Sequence, residues 1–295
     1  MRGPRFDQYE FPSFRSILTS LGLWCVALIT SVLAFYYLFL AETYAYVPLA
    51  LFLIILCCGA SYVLYKRHKE YVASYQARRD EAAIKIFNAV RASSDEQKFA
   101  VFLRPFYTRD KIKSRQMIMI PRQQPGGTMT FTPMNIDHPL EDTLVTAFRW
   151  TMPVVALGKP GETFGVGRIL VSEDSWQKAA TELMDHAALI IFQPSAHLGS
   201  SWEMNQIVLH PYLSKTVFIM PPDPEGWKEL RGDWDLLKKH MASSGITFPE
   251  YQADGLLFSV DRKGQYISEK LRLDYTKTLL QTFIRLSSPV IRGRG

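Results

Sequence analysis

Two long stretches without a charged residue, 16–41 and 44–65, constrain this chain more than any other feature. They are joined by Ala41–Thr43, a turn whose only charge is Glu42. A helix needs roughly 20 apolar residues to cross the hydrocarbon core of a bilayer, and both stretches reach that length. No small-residue cleavage site precedes Glu42 and a second stretch follows at once, which argues against a cleaved leader. The expectation is a two-span transmembrane hairpin over 16–65. Arg2, Arg5 and Arg15 precede it and Lys66, Arg67 and Lys69 follow it. The positive-inside rule then places both termini in the cytosol, at a plasma (inner) membrane. Tyr36, Tyr37, Tyr44, Tyr46, Tyr62 and Tyr65 lie near the span ends, as interfacial aromatics do. Neither stretch holds an acidic or basic residue, so no charge-built ion pathway is indicated.

The hairpin accounts for much of the 47% hydrophobic content of the 295 residues. A net charge of +6 can signal nucleic acid, but the basic residues form no dense tract interleaved with aromatics. Those beside the hairpin serve topology and anionic lipid instead. All three cysteines, Cys25, Cys57 and Cys58, fall inside the apolar stretches. The remainder therefore has no disulfide framework, cysteine zinc site or thiol nucleophile.

Four segments follow from this division: a cytosolic N-terminal piece at 1–15, the hairpin at 16–65, a helical stalk at 66–97 and one α/β domain at 98–295. Residues 66–93 hold no Gly or Pro, and Tyr71, Ser74, Tyr75, Ala82, Ile86 and Val90 repeat at helical spacing. A solvated charged face or a self-association seam both fit that helix. Lys98–Leu103 reads as a first strand. Met117–Ile120 and Thr128–Thr132, separated by a Pro-Gly-Gly turn, read as an inserted hairpin. Then come a helix from Pro139 to about Met152, strands at Val154–Leu157 and Arg168–Val171, and a helix from Asp174 with Gln177 as its capping partner. Strand Ala188–Phe192, helix Ser201–His210, strand Thr216–Met220, helix Trp227–Ala242, strand Gly255–Val260 and a closing helix Glu269–Leu286 complete the series. Short, continuously apolar strands alternating with helices predict a mostly parallel sheet covered on both faces.

In such a sheet ligands bind beyond the carboxyl ends of the strands, where the strand order reverses. Three segments leave strands there: Arg104-Pro105-Phe106, Gly158–Arg168, and Gln193–Glu203. An order of 2-1-3-4-5 sets the first against the third. Arg104 can grip a phosphate, or pair structurally with Glu203 or Asp110. Gly158, Lys159, Gly161 and Arg168 can cradle phosphates with backbone amides and cations, although the stretch matches neither a P-loop nor a GxGxxG fingerprint and also reads as an ordinary turn. Glu203 has two readings. With Ser200 it forms a capping box, S-x-x-E, and complements the helix dipole. Alternatively, it is a carboxylate that stabilises positive charge developing at an anomeric carbon. The six histidines are scattered, and no HExxH or GxSxG motif occurs, so neither a metal centre nor a serine hydrolase is indicated.

The strand Phe99–Leu103, the second strand Pro153–Gly158, the Trp176-bearing helix, the strand ALIIF and the sequence Ser-Ser-Trp-Glu together resemble bacterial TIR-like domains. They also resemble the wider superfamily that joins TIR domains with nucleoside deoxyribosyltransferases, over roughly residues 98–285. That resemblance implies a flavodoxin-like (TIR-like) sheet. It also implies cleavage of an N-glycosidic bond, often that of NAD as substrate with no further cofactor, by a glutamate at the position of Glu203. Trp202 and Glu203 are adjacent here, which is closer to the deoxyribosyltransferase arrangement, whereas TIR domains usually separate the two by several residues. The insertion at 104–138 replaces a short first loop. The expected enzyme is an NAD(P) glycohydrolase or nucleotide N-glycosidase, with Trp202 or Phe106 packed on a ring of the nucleotide. The expected partners are the lipid bilayer, a nucleotide and further copies of the chain. The alternative is a non-catalytic nucleotide- or partner-binding domain whose clustering acts through the hairpin.

Overall fold

The computed structural model describes residue 36 and residues 47–92, 98–104, 113–123, 129–158, 165–196, 198–222, 228–261, 263–272 and 276–291. The first expected span lies outside these residues except for Tyr36, which is helical and exposed. From Val47 a single helix, α1 (Val47–Arg91), runs for 45 residues without a break, taking in most of the second uncharged stretch and the expected stalk as far as Arg91. Among the described residues, no helix is long and apolar enough to cross a membrane. Several side chains between Val47 and Cys57 are not among those described.

Residues Met1–Arg78 and Arg79–Gly295 form two compact units. The second contains the last turns of α1, where Ala83, Ile86, Phe87 and Val90 are buried in the same core as the sheet. It is a mixed α/β unit. Its elements are β1 (Ala100–Leu103), a hairpin of β2 (Lys113–Gln123) and β3 (Met129–Pro139), α2 (Leu140–Phe148), β4 (Val154–Gly158), β5 (Gly167–Leu170) and α3 (Trp176–His186). These lead to β6 (Leu189–Phe192), α4 (Leu198–Leu209), a 3-10 turn (Pro211–Lys215), β7 (Thr216–Met220), α5 (Lys228–Ser243), β8 (Leu256–Val260), β9 (Tyr266–Lys270) and α6 (Thr276–Ile291).

The main sheet has seven strands in the order β5-β4-β1-β6-β7-β8-β9, and β2 and β3 pair only with each other. Strands β5, β4, β1, β6 and β7 are parallel. Every residue of β1, β4, β6, β7 and β8 is buried. That is why these strands read as unbroken apolar runs: helices cover both faces, so no polar alternation survives.

The sheet departs from the mostly parallel expectation at one side. β8 runs antiparallel to β7, and β9 antiparallel to β8. A Schellman turn ends α5, with the Ile246 amide donating to the Met241 carbonyl at 3.0 Å and Gly245 at φ +74°. The chain then crosses the sheet once more before β8 begins. Thr247 bonds the Gly264 carbonyl near one edge, while the Tyr251 hydroxyl reaches the Pro221 carbonyl at the other. β8 therefore enters beside the carboxyl end of β7, with Leu256 opposite Met220.

The expected helix from Glu269 is corrected by the same hairpin. Tyr266–Lys270 is a strand, and the closing helix starts at Thr276. The Asp261 carboxylate accepts the amides of Lys263 and Gln265 and, with Gly264 at φ +77°, closes the β8–β9 turn. Pro139 ends β3 and does not open a helix, so α2 begins at Leu140 and stops at Phe148. The Asp174–Gln177 cap is absent too. Ser175 is the N-cap of α3, and its hydroxyl bonds Ser172.

Candidate functional site

The parallel strands β4-β1-β6-β7 place a reversal of strand order between β1 and β6. Ligands of open α/β sheets bind at such a point, beyond the carboxyl ends. Leu103 lies opposite Phe192, and the Gln193 amide donates to the Leu103 carbonyl at 2.9 Å. The segments after β1 and β6 therefore leave the sheet side by side, as the expected strand order required.

Glu203 sits on α4, the helix after β6. α4 starts at Leu198, three residues before the expected Ser201, and this changes what the S-x-x-E pattern does. Ser200 falls at the third helical position, where its hydroxyl accepts the Ser195 amide at 3.0 Å. It thus reaches back to the preceding turn. Glu203 lies in the second turn, too far along to cap. The residue is 8% exposed and, among the described residues, its carboxyl has no hydrogen-bond or ion-pair partner. Burial alone pushes it up to about 8, because a carboxylate without compensating donors is unfavourable in an apolar setting. At neutral pH it is a mostly protonated, buried acid. Beside it, Trp202 is half-buried, its ring edge-on to Trp176 with centroids 4.9 Å apart.

Arg104, directly after β1, is buried and pairs with Glu141. The ion pair expected for it therefore exists, but with a partner that the sequence did not single out. Glu141 also receives Arg168 Nη2 at 3.1 Å and the Val166 amide at 3.3 Å on its second oxygen. The two arginines proposed for phosphate are brought together by one carboxylate. Arg168 is 1% exposed, and its aliphatic stem lies over Gly158, where an added Cβ would come within 2.6 Å of its Cδ. Gly158 thus admits this side chain to the carboxyl end of β4. Phe106, Lys159, Gly161 and Asp110 lie outside the described residues, as does His197.

The same cluster reaches α1. Arg79 Nη1 donates to the Gly165 carbonyl at 2.5 Å and pairs with Asp142 at 3.3 Å, and Asp80 accepts the Arg168 amide at 2.9 Å. At Gly167 an added Cβ would meet the Arg79 carbonyl at 2.6 Å, so glycine lets the helix backbone seat against β5. Gly165, at φ +117°, packs against the Glu141 carboxyl. Gly165→Ala is expected to cost about 2–3 kcal/mol of stability, from backbone strain plus displacement of that carboxyl, as read by chemical unfolding.

Sequence reasoning missed Glu141 and Asp142. In sequence they are two acids in the first turn of a helix, an ordinary dipole-complementing pattern. Only the tertiary fold sets Glu141 between two arginines distant in sequence. Asp185 and His186 make no catalytic pair: Asp185 accepts the Tyr212 hydroxyl at 2.5 Å, and the His186 ring lies 2.9 Å from the Glu182 carbonyl. Among the described residues, no cluster of His, Cys, Asp or Glu is placed to hold a metal ion.

Comparison with family models, with characterised proteins and with solved structures finds no match to this chain.

Proposed function

We propose that this chain is a membrane-tethered, TIR-like protein with a flavodoxin-like core, whose α/β unit binds a nucleotide at the β1–β6 reversal and cleaves its N-glycosidic bond. NAD is the first candidate substrate and Glu203 the acidic group. The observation that carries this reading is Glu203 on the helix after β6, buried and without a hydrogen-bond or ion-pair partner among the described residues. A fold has no structural need for a desolvated carboxyl with no donors, and such groups concentrate at functional sites. A cationic base brought near it would favour ionisation. The carboxylate would then stabilise positive charge at the anomeric carbon. The base departs with the bonding electron pair, water adds at C1′ and a proton is released.

The tether rests on the two uncharged stretches and on α1. No described side chain from Phe52 to Glu70 is buried, and Phe52, Ile55, Leu56, Tyr62 and Val63 are all exposed. Water is a poor solvent for so many bare apolar groups, and lipid or a second copy is a better one. Lys66, Arg67 and Lys69 follow at the polar boundary.

A second reading is favoured by the engagement of Arg104 and Arg168 with Glu141. With both guanidiniums held internally, the domain would act as a non-catalytic nucleotide or partner switch that clusters through the hairpin. Incubating the detergent-solubilised protein with NAD separates the two. Nicotinamide release is expected from the wild type. Absence of release, combined with NAD-dependent oligomerisation, would favour the switch. Deleting residues 1–65 is expected to move the protein from the membrane pellet to the supernatant, and retention in the pellet would sink the tether.

A further inference from the structure

The contacts at the carboxyl edge form a continuous chain from α1 to the strand-order reversal. Arg79 and Asp80 hold the Gly165 carbonyl and the Arg168 amide, at 2.5 and 2.9 Å. The Arg168 guanidinium and the Val166 amide both engage one oxygen of Glu141. The other oxygen pairs with Arg104. Arg104 is covalently next to Leu103, whose carbonyl accepts the Gln193 amide at 2.9 Å. Gln193 opens the segment that leads into α4 and Glu203.

Apart from the stretches of backbone, each of these links is a charge-assisted bond or a ladder bond. The three arginines and Glu141 are all at least nine-tenths buried. Groups so deeply buried do not drift between partners, because an intermediate arrangement leaves a charge uncompensated. The chain therefore has few arrangements open to it, and shifting one end requires the other to move. The end at Arg79 belongs to a helix that continues back to Val47.

We infer that Glu141 is a positioning residue that ties the Arg79–Asp80 turn of α1 to the Arg104 turn, so that the β1–β6 reversal keeps its geometry only while α1 holds Gly165–Arg168 in place. The carboxyl edge is thereby made responsive to α1, the element that leads back to the apolar segment. Calling that edge a ligand site rests on the function proposed above. The positioning itself does not.

Amide hydrogen exchange on the full chain in detergent tests it, comparing wild type with Arg79→Ala and with the milder Asp80→Ala. The Val166 and Arg168 amides are expected to exchange at least about tenfold faster in Arg79→Ala. The Gln193 amide, which neither variant touches, is expected to accelerate at least about threefold in both. The Thr247 amide, on the far side of the sheet, serves as control and is expected to stay unchanged. Acceleration confined to Val166 and Arg168 would overturn the inference, since the contacts would then be a local brace. Acceleration that includes Thr247 in both variants would overturn it as well, since the cluster would then serve stability alone.

A second arm uses NAD. In Asp80→Ala, KM for nicotinamide release is expected to rise at least about fivefold with kcat within about twofold, and an unchanged KM counts against the inference. If the wild type releases no nicotinamide, the proposed activity fails, and the exchange arm still decides the positioning.

Discussion

Glu203→Gln is expected to abolish nicotinamide release and, at alkaline pH, to make the protein more stable. The amide keeps the shape of the side chain and cannot ionise. The loss of activity should be about a hundredfold to a thousandfold, the range seen when a group that stabilises developing charge is removed from a buried site. The stability effect follows from linkage. The carboxyl stands at about 8 when folded, against 4.5 for an ordinary glutamate in an unfolded chain. Between these pH values the native state holds a proton that the unfolded state has released. Stability is therefore full below about pH 4.5, falls as pH rises, and reaches its full loss above about pH 8. The loss is roughly 3 kcal/mol at pH 7 and approaches roughly 5 kcal/mol above pH 8. In the Gln variant this slope disappears. Thermal unfolding of both proteins from pH 5 to 9 reads it directly, and the midpoints should diverge as pH rises. A wild-type midpoint that stays flat from pH 5 to 8 would mean that water or an ion reaches the carboxyl, and Glu203 would lose its claim to a desolvated site.

Glu141→Ala is expected to damage the α/β unit as much as truncating a large core side chain. It leaves Arg104 and Arg168 facing each other at the carboxyl edge without the anion between them. Removing one partner from a buried ion pair typically costs about 3–5 kcal/mol, since the surviving charge cannot recover its hydration. That is a large share of the roughly 5–15 kcal/mol typical of a whole domain. The measurement is urea unfolding in detergent, with Asp142→Asn beside it. Asp142 is the more exposed anion, its side chain 27% accessible, and Arg79 keeps the Gly165 carbonyl, so Asp142→Asn should cost less, about 1–2 kcal/mol. Equal losses in the two variants would show that the cluster is wetter than its burial implies.

The parallel part of the sheet was legible in the chain because burial on both faces leaves its signature in every residue of a strand. AVFL, VVALG and LIIF admit few other readings, whereas the strand order could only be assumed, since right-handed connections restrict it without choosing one. The last third was harder to read. The run from Glu269 has the composition of a helix start, but Asp261 and Gly264 had already closed a hairpin ahead of it. Those two residues were passed over as a turn, and the exposed strand Tyr266–Lys270 gave no signal of its own, because an edge strand lacks the buried face that makes alternation clear. At the site, Glu203 could be nominated but not decided. The same S-x-x-E spells a cap if the helix starts at Ser201 and a buried acid if it starts at Leu198, and local sequence pattern does not fix a helix start to within three residues. Glu141 was out of reach for another reason. Its partners Arg104 and Arg168 are both distant in sequence, and nothing in the local pattern distinguishes a glutamate that faces water from one that faces two guanidiniums.

The seating of α1 against Gly167 bears on where the α/β unit can be cut. Ordinary practice divides a protein in the irregular stretch between two regular elements, which here would mean starting near Lys98. Such a fragment would bare the surface that Ala83, Ile86, Phe87 and Val90 cover and take Arg79 away from Gly165. The smallest piece that can close its own interior starts part-way along a helix, at least a turn upstream of Arg79.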